Sequence, residues 1–217
     1  MKKIMTLILS LLLFINSFSA ITAENIKNKG GGSQTFIKSI LPIIQNIQND
    51  IQKDREKVEE IFKKSKITTD EKAFLNNLYT TYRVKSGDKK SLLDKMIVPP
   101  TSLVIAQASL ESAWGKSKVA QKSNNLFGMK SFNSGEPRIK STGSTYYRKY
   151  ESVEESIRDY VINLSRHDAY RPLRRSINNG EETLSLIRHL VVYGDSKEYP
   201  NELRKVIKGN NLTKYDS

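Results

Sequence analysis

The stretch "VPPTSLVIAQASLESAWGKSKVAQKSNNLFGMKSF", from Val98 to Phe132, decides the fold. Pro99 and Pro100 suit the entry to a helix, because a proline in the first turn loses no hydrogen bond that would otherwise form. Apolar residues then recur at helical spacing as far as Trp114, and Gly115 is well placed to end the helix. The pattern therefore predicts an apolar helix over residues 101–114.

One carboxyl group lies on the apolar side of this helix. Glu111 follows Val104 and Ala108 at spacings i, i+4 and i+7, in the last turn. Apolar surroundings and the negative end of the helix dipole both disfavour an ionised carboxylate, so we expect a raised pKa. Such an acid can protonate a leaving-group oxygen, as glycoside hydrolysis requires. The alternative is a glutamate at the rim of the core, neutralised by Lys116 or Lys118.

Four residues near Glu111 in sequence are candidates for substrate binding. Trp114 and Phe127 offer flat apolar surfaces, and Asn124 and Asn125 offer side-chain amides. This mixture is expected of a sugar cleft, where a few oriented polar groups lie among aromatic rings. The asparagine pair could instead simply close a turn, which is the commoner use of such residues.

Composition excludes several classes of chemistry. The 217 residues contain 36 Lys and Arg against 23 Asp and Glu, a net charge of +13, which favours an anionic partner. Cysteine is absent and there are two histidines, so thiol catalysis, disulfides and a cysteine or histidine metal centre are not expected. Because no Gly-rich phosphate loop is present either, we expect no cofactor and no metal.

The first residues resemble a secretory leader. Lys2 and Lys3 precede an apolar run over residues 4–15, followed by small residues, so we assign 1–23 to a signal peptide. Cleavage after Ser19 or after Ala23 would both fit. The run is shorter than the roughly 20 residues that span a bilayer, so we expect export to the periplasm or cell exterior without stable membrane insertion.

The rest of the chain predicts further helices and a small β-region. Residues 24–35 are polar and Gly-rich and predict a flexible lead-in. Residues 36–97 predict a helical N-terminal extension, with a capping box formed by Thr68 and Glu71. Residues 98–217 form the main domain. The expected fold class is α+β and mainly helical, and the expected state is a monomer.

Within the main domain, two or three short strands are predicted between residues 129 and 150. A helix should follow Ser152, which forms a capping box with Glu155. We interpret "HDAYRPLRR" as a loop, then expect helices over 181–192 and 198–208 and a polar tail.

Two segments together resemble a known family. "LESAWG" with "NNLFG", followed by "YESVEESIRDYVINLSRHDAYRPLR", is similar to the bacterial peptidoglycan β-N-acetylglucosaminidases of glycoside hydrolase family 73, which include the flagellar-rod hydrolases, and within them to the Bax-like branch. The resemblance implies a lysozyme-like glucosaminidase fold with a small β-lobe across a cleft. It implies hydrolysis of the β-1,4 bond between N-acetylglucosamine and N-acetylmuramic acid, with peptidoglycan strands as partner. Glu111 then matches the general acid, Tyr170 a tyrosine near the scissile bond, and Asn125 and Phe127 the cleft floor.

The sequence leaves the identity of the second catalytic group undetermined. Between Met129 and Tyr150 the single acidic residue is Glu136, which could activate water if the β-lobe closes on the substrate. A more distant carboxylate, or the N-acetyl group of the substrate itself, are the alternatives. One departure from relatives lies beside the acid, since Ala113 stands where they often have glycine.

Other functions on the same fold are a muramidase, a lytic transglycosylase or a non-catalytic cell-wall-binding protein. Nucleic-acid binding is disfavoured, because the leader removes the chain from the cytoplasm and the basic residues are scattered along it.

Overall fold

The protein is described by a computed structural model that covers residues 20–141, 143–194 and 196–216, so most of the predicted signal peptide lies outside the described residues. Short 3-10 turns cover 168–170, 187–190 and 212–215. Helices and a two-stranded sheet follow one another as α1 Ala23–Asn28, α2 Ser33–Lys63, α3 Thr69–Thr81, α4 Lys89–Lys95, α5 Thr101–Ser112, α6 Lys118–Ser123, β1 Arg138–Lys140, β2 Tyr146–Arg148, α7 Val153–Arg166, α8 Arg171–Asn178, α9 Thr183–Leu186 and α10 Tyr199–Gly209.

Helix α5 is the centre of the main core. Its residues from Thr101 to Ser109 are all buried, because α2, α10 and the C-terminal 3-10 turn pack around it. Even its polar residues are satisfied locally, since the Ser109 hydroxyl donates to the carbonyl of Ile105 at 2.6 Å. A helix enclosed in this way can hold its last turn in a fixed position, and that turn carries Glu111.

The N-terminal helices contribute to two apolar clusters. The first half of α2, with Phe36, Ile40 and Ile44, shares the main core with α5. The second half, with Val58 and Ile61, packs with α3 and α4 in a separate smaller cluster. The first half of α2 is thus part of the core that supports α5. A domain boundary near residue 98 stays a prediction.

The flexible lead-in predicted for residues 24–35 is wrong. Thr22 and Asn25 form a capping box that starts α1, in which Ala23 and Ile26 are buried. The backbone N–H of Ala23 also donates to Oδ1 of Asn124 at 3.0 Å. The polar composition was misleading, because two apolar side chains on one turn are enough to dock a short helix on an existing core.

The β-lobe is a minimal hairpin. β1 and β2 pair antiparallel with Ile139 opposite Tyr147, and the segment "MKSF" contributes an isolated bridge between Lys130 and Tyr147 in place of a strand. Two strands alone are marginal in water. The lobe is held to the helices by side chains, among them Arg148, which lies 2.7 Å from Asp159 of α7.

The loop predicted over "HDAYRPLRR" is also wrong, since these residues form a 3-10 turn and most of α8. Pro172 sits in the first turn of α8, and Arg174 is buried with its guanidinium donating to the carbonyls of Leu164 and His167. The charged residues of α8 obscure the apolar periodicity from which a helix is usually predicted. The helix predicted over 181–192 is α9 followed by a 3-10 turn, whereas α10 agrees with its prediction.

The predicted fold class, α+β and mainly helical with a small β-lobe, is confirmed. The helices that follow Thr68 and Ser152 begin where predicted. Thr68 and Glu71 form the predicted capping box, whereas the Glu155 side chain accepts from the backbone N–H of Glu151 in place of that of Ser152. Among the residues that the structure describes, no helix is both long and apolar enough to cross a membrane.

The polar tail predicted at the C-terminus is in fact ordered against the start of α5. Leu212 is buried, and the carboxylate of Asp216 accepts from the backbone N–H of Ser102 at 2.8 Å and from the hydroxyl of Thr183 at 2.8 Å. The first N–H groups of a helix have no partner within the helix, so Asp216 satisfies one that would otherwise be buried.

Replacing Asp216 by alanine should therefore destabilise the fold by about 1–2 kcal/mol, the usual cost of losing a helix cap. Asp216→Asn keeps one carbonyl acceptor and should lose less. Urea unfolding of the three proteins measures the differences. Equal midpoints for wild type and Asp216→Ala would contradict this account of the tail.

Candidate active site

A cavity of about 670 Å³ lies between the end of α5, the β-lobe and the segment around α7 and α8. Its walls come from distant parts of the chain. They include Glu111 from α5, the floor segment from Asn125 to Lys130, Tyr147 and Arg148 from β2, Arg166, His167 and Tyr170, and Tyr193 with Gly194. Arg83 reaches it from the N-terminal helices. This volume is in the range of a small-molecule or oligosaccharide site.

The end of α5 is shaped by three consecutive residues with positive φ. Ala113, Trp114 and Gly115 have φ of 50°, 59° and 77°, so the helix ends at Ser112, two residues earlier than predicted. The turn is held because the hydroxyl of Ser112 accepts from the N–H of Gly115 at 2.7 Å. Because left-handed backbone is costly for non-glycine residues, this turn is a strained feature directly behind Glu111.

The floor segment, residues 125–130, lies against Glu111. A Cβ atom placed on Gly128, which has φ of 63°, would be 3.8 Å from Oε2 of Glu111. Asn125 fixes the segment, since its amide donates to the carbonyls of Met129 and Arg148 and its oxygen accepts from the N–H of Met129. The two motifs that are separate in sequence are therefore two sides of one site.

Four tyrosines surround the carboxyl group of Glu111. The pKa values of Tyr160, Tyr170, Tyr193 and Tyr199 are all raised, chiefly by burial, and the negative charge of Glu111 adds to the effect in each case. Tyrosine hydroxyls are protonated near neutral pH, and these shifts move their ionisation further from it. Protonated hydroxyls can orient a carboxyl group or a sugar oxygen without adding charge.

A buried chain of hydrogen bonds connects two of these tyrosines to α5. The side chain of Gln107 donates to the hydroxyl of Tyr199 at 3.1 Å and accepts from the hydroxyl of Tyr160. Tyr199 in turn hydrogen-bonds to Glu111, which lies one helical turn after Gln107. Glu111 is consequently oriented by a neutral network on its core side and lines the cavity on the other. The protonation state expected for it stays a prediction.

Three further candidates also line the cavity. Tyr170 lies in its wall, almost fully buried, and Asn125 and Phe127 lie in its floor. Phe127 stacks on Tyr160 with ring centroids 3.9 Å apart, and its carbonyl accepts from the hydroxyl of Tyr193 at 2.8 Å. The side chains of Asn125 and Phe127 are already occupied by protein contacts, so these two residues shape the floor of the cavity.

Two predicted substrate-binding residues have other partners. Trp114 makes an edge contact with Phe36 of α2, with centroids 5.9 Å apart, and is not among the residues that line the cavity. Asn124 ends α6 in the left-handed region and donates to the carbonyls of Tyr150 and Glu151. In the described chain, both act as supports for the segments on either side of Glu111.

Glu136 is not among the residues that line the Glu111 cavity. It lies 3.6 Å from the guanidinium of Arg148 and lines a shallow groove on the other side of the β-lobe with Tyr150 and Asp159. Arg148 lines both the cavity and that groove. In the conformation described, Arg148 therefore lies between Glu136 and the cavity that contains Glu111.

Sequence reasoning missed part of the site. Tyr193, Tyr199 and Gln107 were not identified, although the spacing of Gln107 and Glu111 by one helical turn was a usable signal. A Cβ on Gly194 would lie 2.5 Å from the ring of Tyr199, which explains why glycine follows Tyr193. Phe132, 89% exposed at the edge of the cavity, was not singled out either.

Among the described residues, no cluster of three or more His, Cys, Asp or Glu side chains is arranged to hold a metal ion. The charged side chains that line the cavity are mainly basic, namely Arg83, Lys130, Arg148 and Arg166 beside Glu111.

A helical wall carrying a carboxyl group, a small β-lobe and a cavity between them define a glycoside-hydrolase type of site. Residues 88–212 match the Glucosaminidase family model, described as mannosyl-glycoprotein endo-beta-N-acetylglucosaminidase. The chain belongs to this family, which confirms the glucosaminidase family that the resemblance implied.

Curated relatives are similar over part of their length. Protein bax of Escherichia coli is 32% identical over 153 residues, 66% of this chain and 54% of that protein. Exo-glucosaminidase LytG of Bacillus subtilis is 29% identical over 172 residues, 72% of this chain and 57% of that protein. The chain thus spans little more than half the length of these two relatives.

A solved structure is similar as well. The catalytic domain of the autolysin Auto from Listeria monocytogenes is 24% identical with a TM-score of 0.46, over 73% of this chain and 94% of that one.

The strained turn behind Glu111 leads to a prediction about stability. Ala113 is exposed with φ of 50°, so Ala113→Gly should relieve backbone strain and stabilise the fold by about 0.5–1 kcal/mol. The matched control is Ala73→Gly, an exposed position inside α3, which should destabilise by about 1 kcal/mol. Thermal or urea unfolding measures both. If both changes destabilised alike, the turn would not be strained.

Proposed function

We propose that the protein hydrolyses the β-1,4 bond between N-acetylglucosamine and N-acetylmuramic acid in peptidoglycan, as an endo-β-N-acetylglucosaminidase. The observation that carries the proposal is the carboxyl group of Glu111 at the base of a cavity with basic and tyrosine-rich walls. Family membership supplies the reaction class. The basic walls favour an anionic glycan, and N-acetylmuramic acid units with their peptides carry carboxylates.

In the proposed reaction Glu111 donates its proton to the glycosidic oxygen as the bond to C1 of N-acetylglucosamine breaks. The leaving N-acetylmuramic acid unit keeps that oxygen as a hydroxyl. Positive charge develops at C1, and water adds there to give a new N-acetylglucosamine reducing end. Tyr170 contributes a neutral hydroxyl to the cavity wall, and Phe132 offers an exposed ring on which a sugar face can stack.

The incoming water must lose a proton, and two groups are candidates to assist it. Glu136 could do so if the β-lobe closes and frees it from Arg148. The N-acetyl group of the substrate could instead attack C1 to form a ring that water opens, returning the proton to Glu111. The position of Glu136 behind Arg148 supports the second course.

We further propose that the chain is exported and acts outside the cytoplasm. The structure bears on where a leader would be removed, because the Ile21 carbonyl accepts from the N–H of Val153 at 3.0 Å and Thr22 caps α1. Cleavage after Ser19 keeps both contacts, and cleavage after Ala23 would remove them. These contacts support the first position.

The reaction is tested by analysing the ends of muropeptides released from purified sacculi. Wild type should release fragments with N-acetylglucosamine reducing ends, several disaccharides long at early times as an endo-enzyme requires. Glu111→Gln, which keeps size and hydrogen bonding but has no proton of suitable acidity, should lower the rate at least about a hundredfold. Muramic or anhydromuramic ends would instead indicate a muramidase or a lytic transglycosylase.

Glu136→Gln serves as the second variant in the same assay. Near wild-type release is expected if the N-acetyl group assists the water, and a loss comparable to that of Glu111→Gln would assign the second step to Glu136. Binding of wild type to sacculi without release of fragments would contradict the proposed hydrolysis and favour a wall-binding protein.

A further inference from the structure

A second groove, of about 640 Å³, lies beside the cavity that contains Glu111. One side is formed by the turn after α3 and by α4, and the other by the 3-10 turn before α8 and by α8 itself. Arg83 lines both the cavity and this groove, so the two are neighbours at that residue. The groove joins the N-terminal helices to the catalytic part of the chain.

Basic side chains dominate the groove. Seven Lys and Arg residues line it against three Asp residues, so its walls are net positive. The pKa of Lys95 is lowered, first by burial and then by the neighbouring charge of Arg174; Arg171 and Arg83 lower it further, while Asp168 offsets part of the effect. The cations are therefore close enough to repel one another, and an anion in the groove would relieve that repulsion.

Two of these cations, Lys95 and Arg174, are held in place by backbone carbonyl groups. The ammonium of Lys95 donates to the carbonyls of Tyr82 and Arg83 at 3.2 and 3.1 Å. Arg83 has φ of 51°, an uncommon conformation for arginine, and these bonds fix the turn from which it projects. Because carbonyl oxygens do not neutralise a charge, the groove keeps its positive character within a rigid frame.

We propose that this groove binds the carboxylates of the peptide stems on the glycan strand held in the neighbouring cavity. The inference rests on the proposed function. A stem is attached to each N-acetylmuramic acid unit, so a strand lying beside Glu111 would project a stem past Arg83. The N-terminal helices would then have a direct part in substrate selection, in addition to bracing α5.

The acidic residues of the groove favour a peptide over a phosphate-rich wall polymer. Asp88, Asp94 and Asp168 line it among the cations, and Asp168 lies 3.2 Å from Arg171. A uniformly anionic polymer would be repelled at these positions. A peptide stem carries both carboxylates and an amino group, so it matches a surface that is net positive but mixed in sign.

The test compares the KM for intact sacculi with the KM for the same glycan stripped of its peptides by an amidase. We expect a lower KM of wild type for the peptide-bearing strands. Arg171 and Arg175 are exposed on α8, so Arg171→Gln/Arg175→Gln should fold normally. It should raise the KM for peptide-bearing strands about five- to tenfold and bring the ratio of the two KM values close to one.

The matched control is Lys205→Gln/Lys208→Gln, which removes two exposed charges from α10, outside the groove. It should keep the wild-type ratio. An equal rise in KM on both substrates, or an unchanged ratio in the α8 variant, would overturn the proposal. A KM that changes when phosphate polymers are removed from the sacculi, but does not change when the peptides are removed, would also overturn the proposal.

A binding experiment distinguishes failure of the proposed hydrolysis from failure of the groove to bind peptide stems. If wild type released no reducing ends from either substrate, sedimentation of Glu111→Gln with sacculi and with stripped glycan would still test the groove. Tighter binding to peptide-bearing material, lost on adding the α8 double substitution, would support the inference. Equal binding to both would contradict it.

Discussion

The site depends on how the buried helix α5 ends. Its sides are enclosed by α2, α10 and the C-terminal turn, so the last turn has little freedom. The left-handed run from Ala113 to Gly115 then leads the chain away at once, and Glu111 is left facing the segment that contains Gly128. A longer or less enclosed helix would place the same carboxyl group in a different position.

The tyrosines around Glu111 have a distinct physical role. Tyrosine hydroxyls are neutral at neutral pH, and burial raises their pKa values further, so they can orient the carboxyl group without contributing charge of their own. Positive charge is supplied farther out, by arginines on the cavity walls. In the proposed reaction, proton donation by Glu111 is thereby separated from attraction of the anionic glycan by the arginines. Arg83 extends that entrance onto the N-terminal helices.

Much of this was accessible from sequence, for identifiable reasons. The N-cap residues Thr68 and Ser152 located helix starts, and helical spacing placed Glu111 on an inward face. These are local signals. The errors came where tertiary contacts decide, as in α1, which docks through Ala23 and Ile26, and α8, whose buried Arg174 looks like a surface charge in the sequence. Trp114 and Asn124 do not line the cavity for the same reason, since neighbours in sequence need not share a cavity, and their role in substrate binding stays a prediction.

We propose that Glu111 protonates the glycosidic oxygen, and a crystal structure of Glu111→Gln with a peptidoglycan tetrasaccharide tests this role most directly. We expect the glycan in the cavity between α5 and the β-lobe, with the substituted amide side chain at position 111 within about 3 Å of the oxygen between N-acetylglucosamine and N-acetylmuramic acid. A glycan bound there with residue 111 beyond hydrogen-bonding reach of every glycosidic oxygen, or bound on another face, would contradict it.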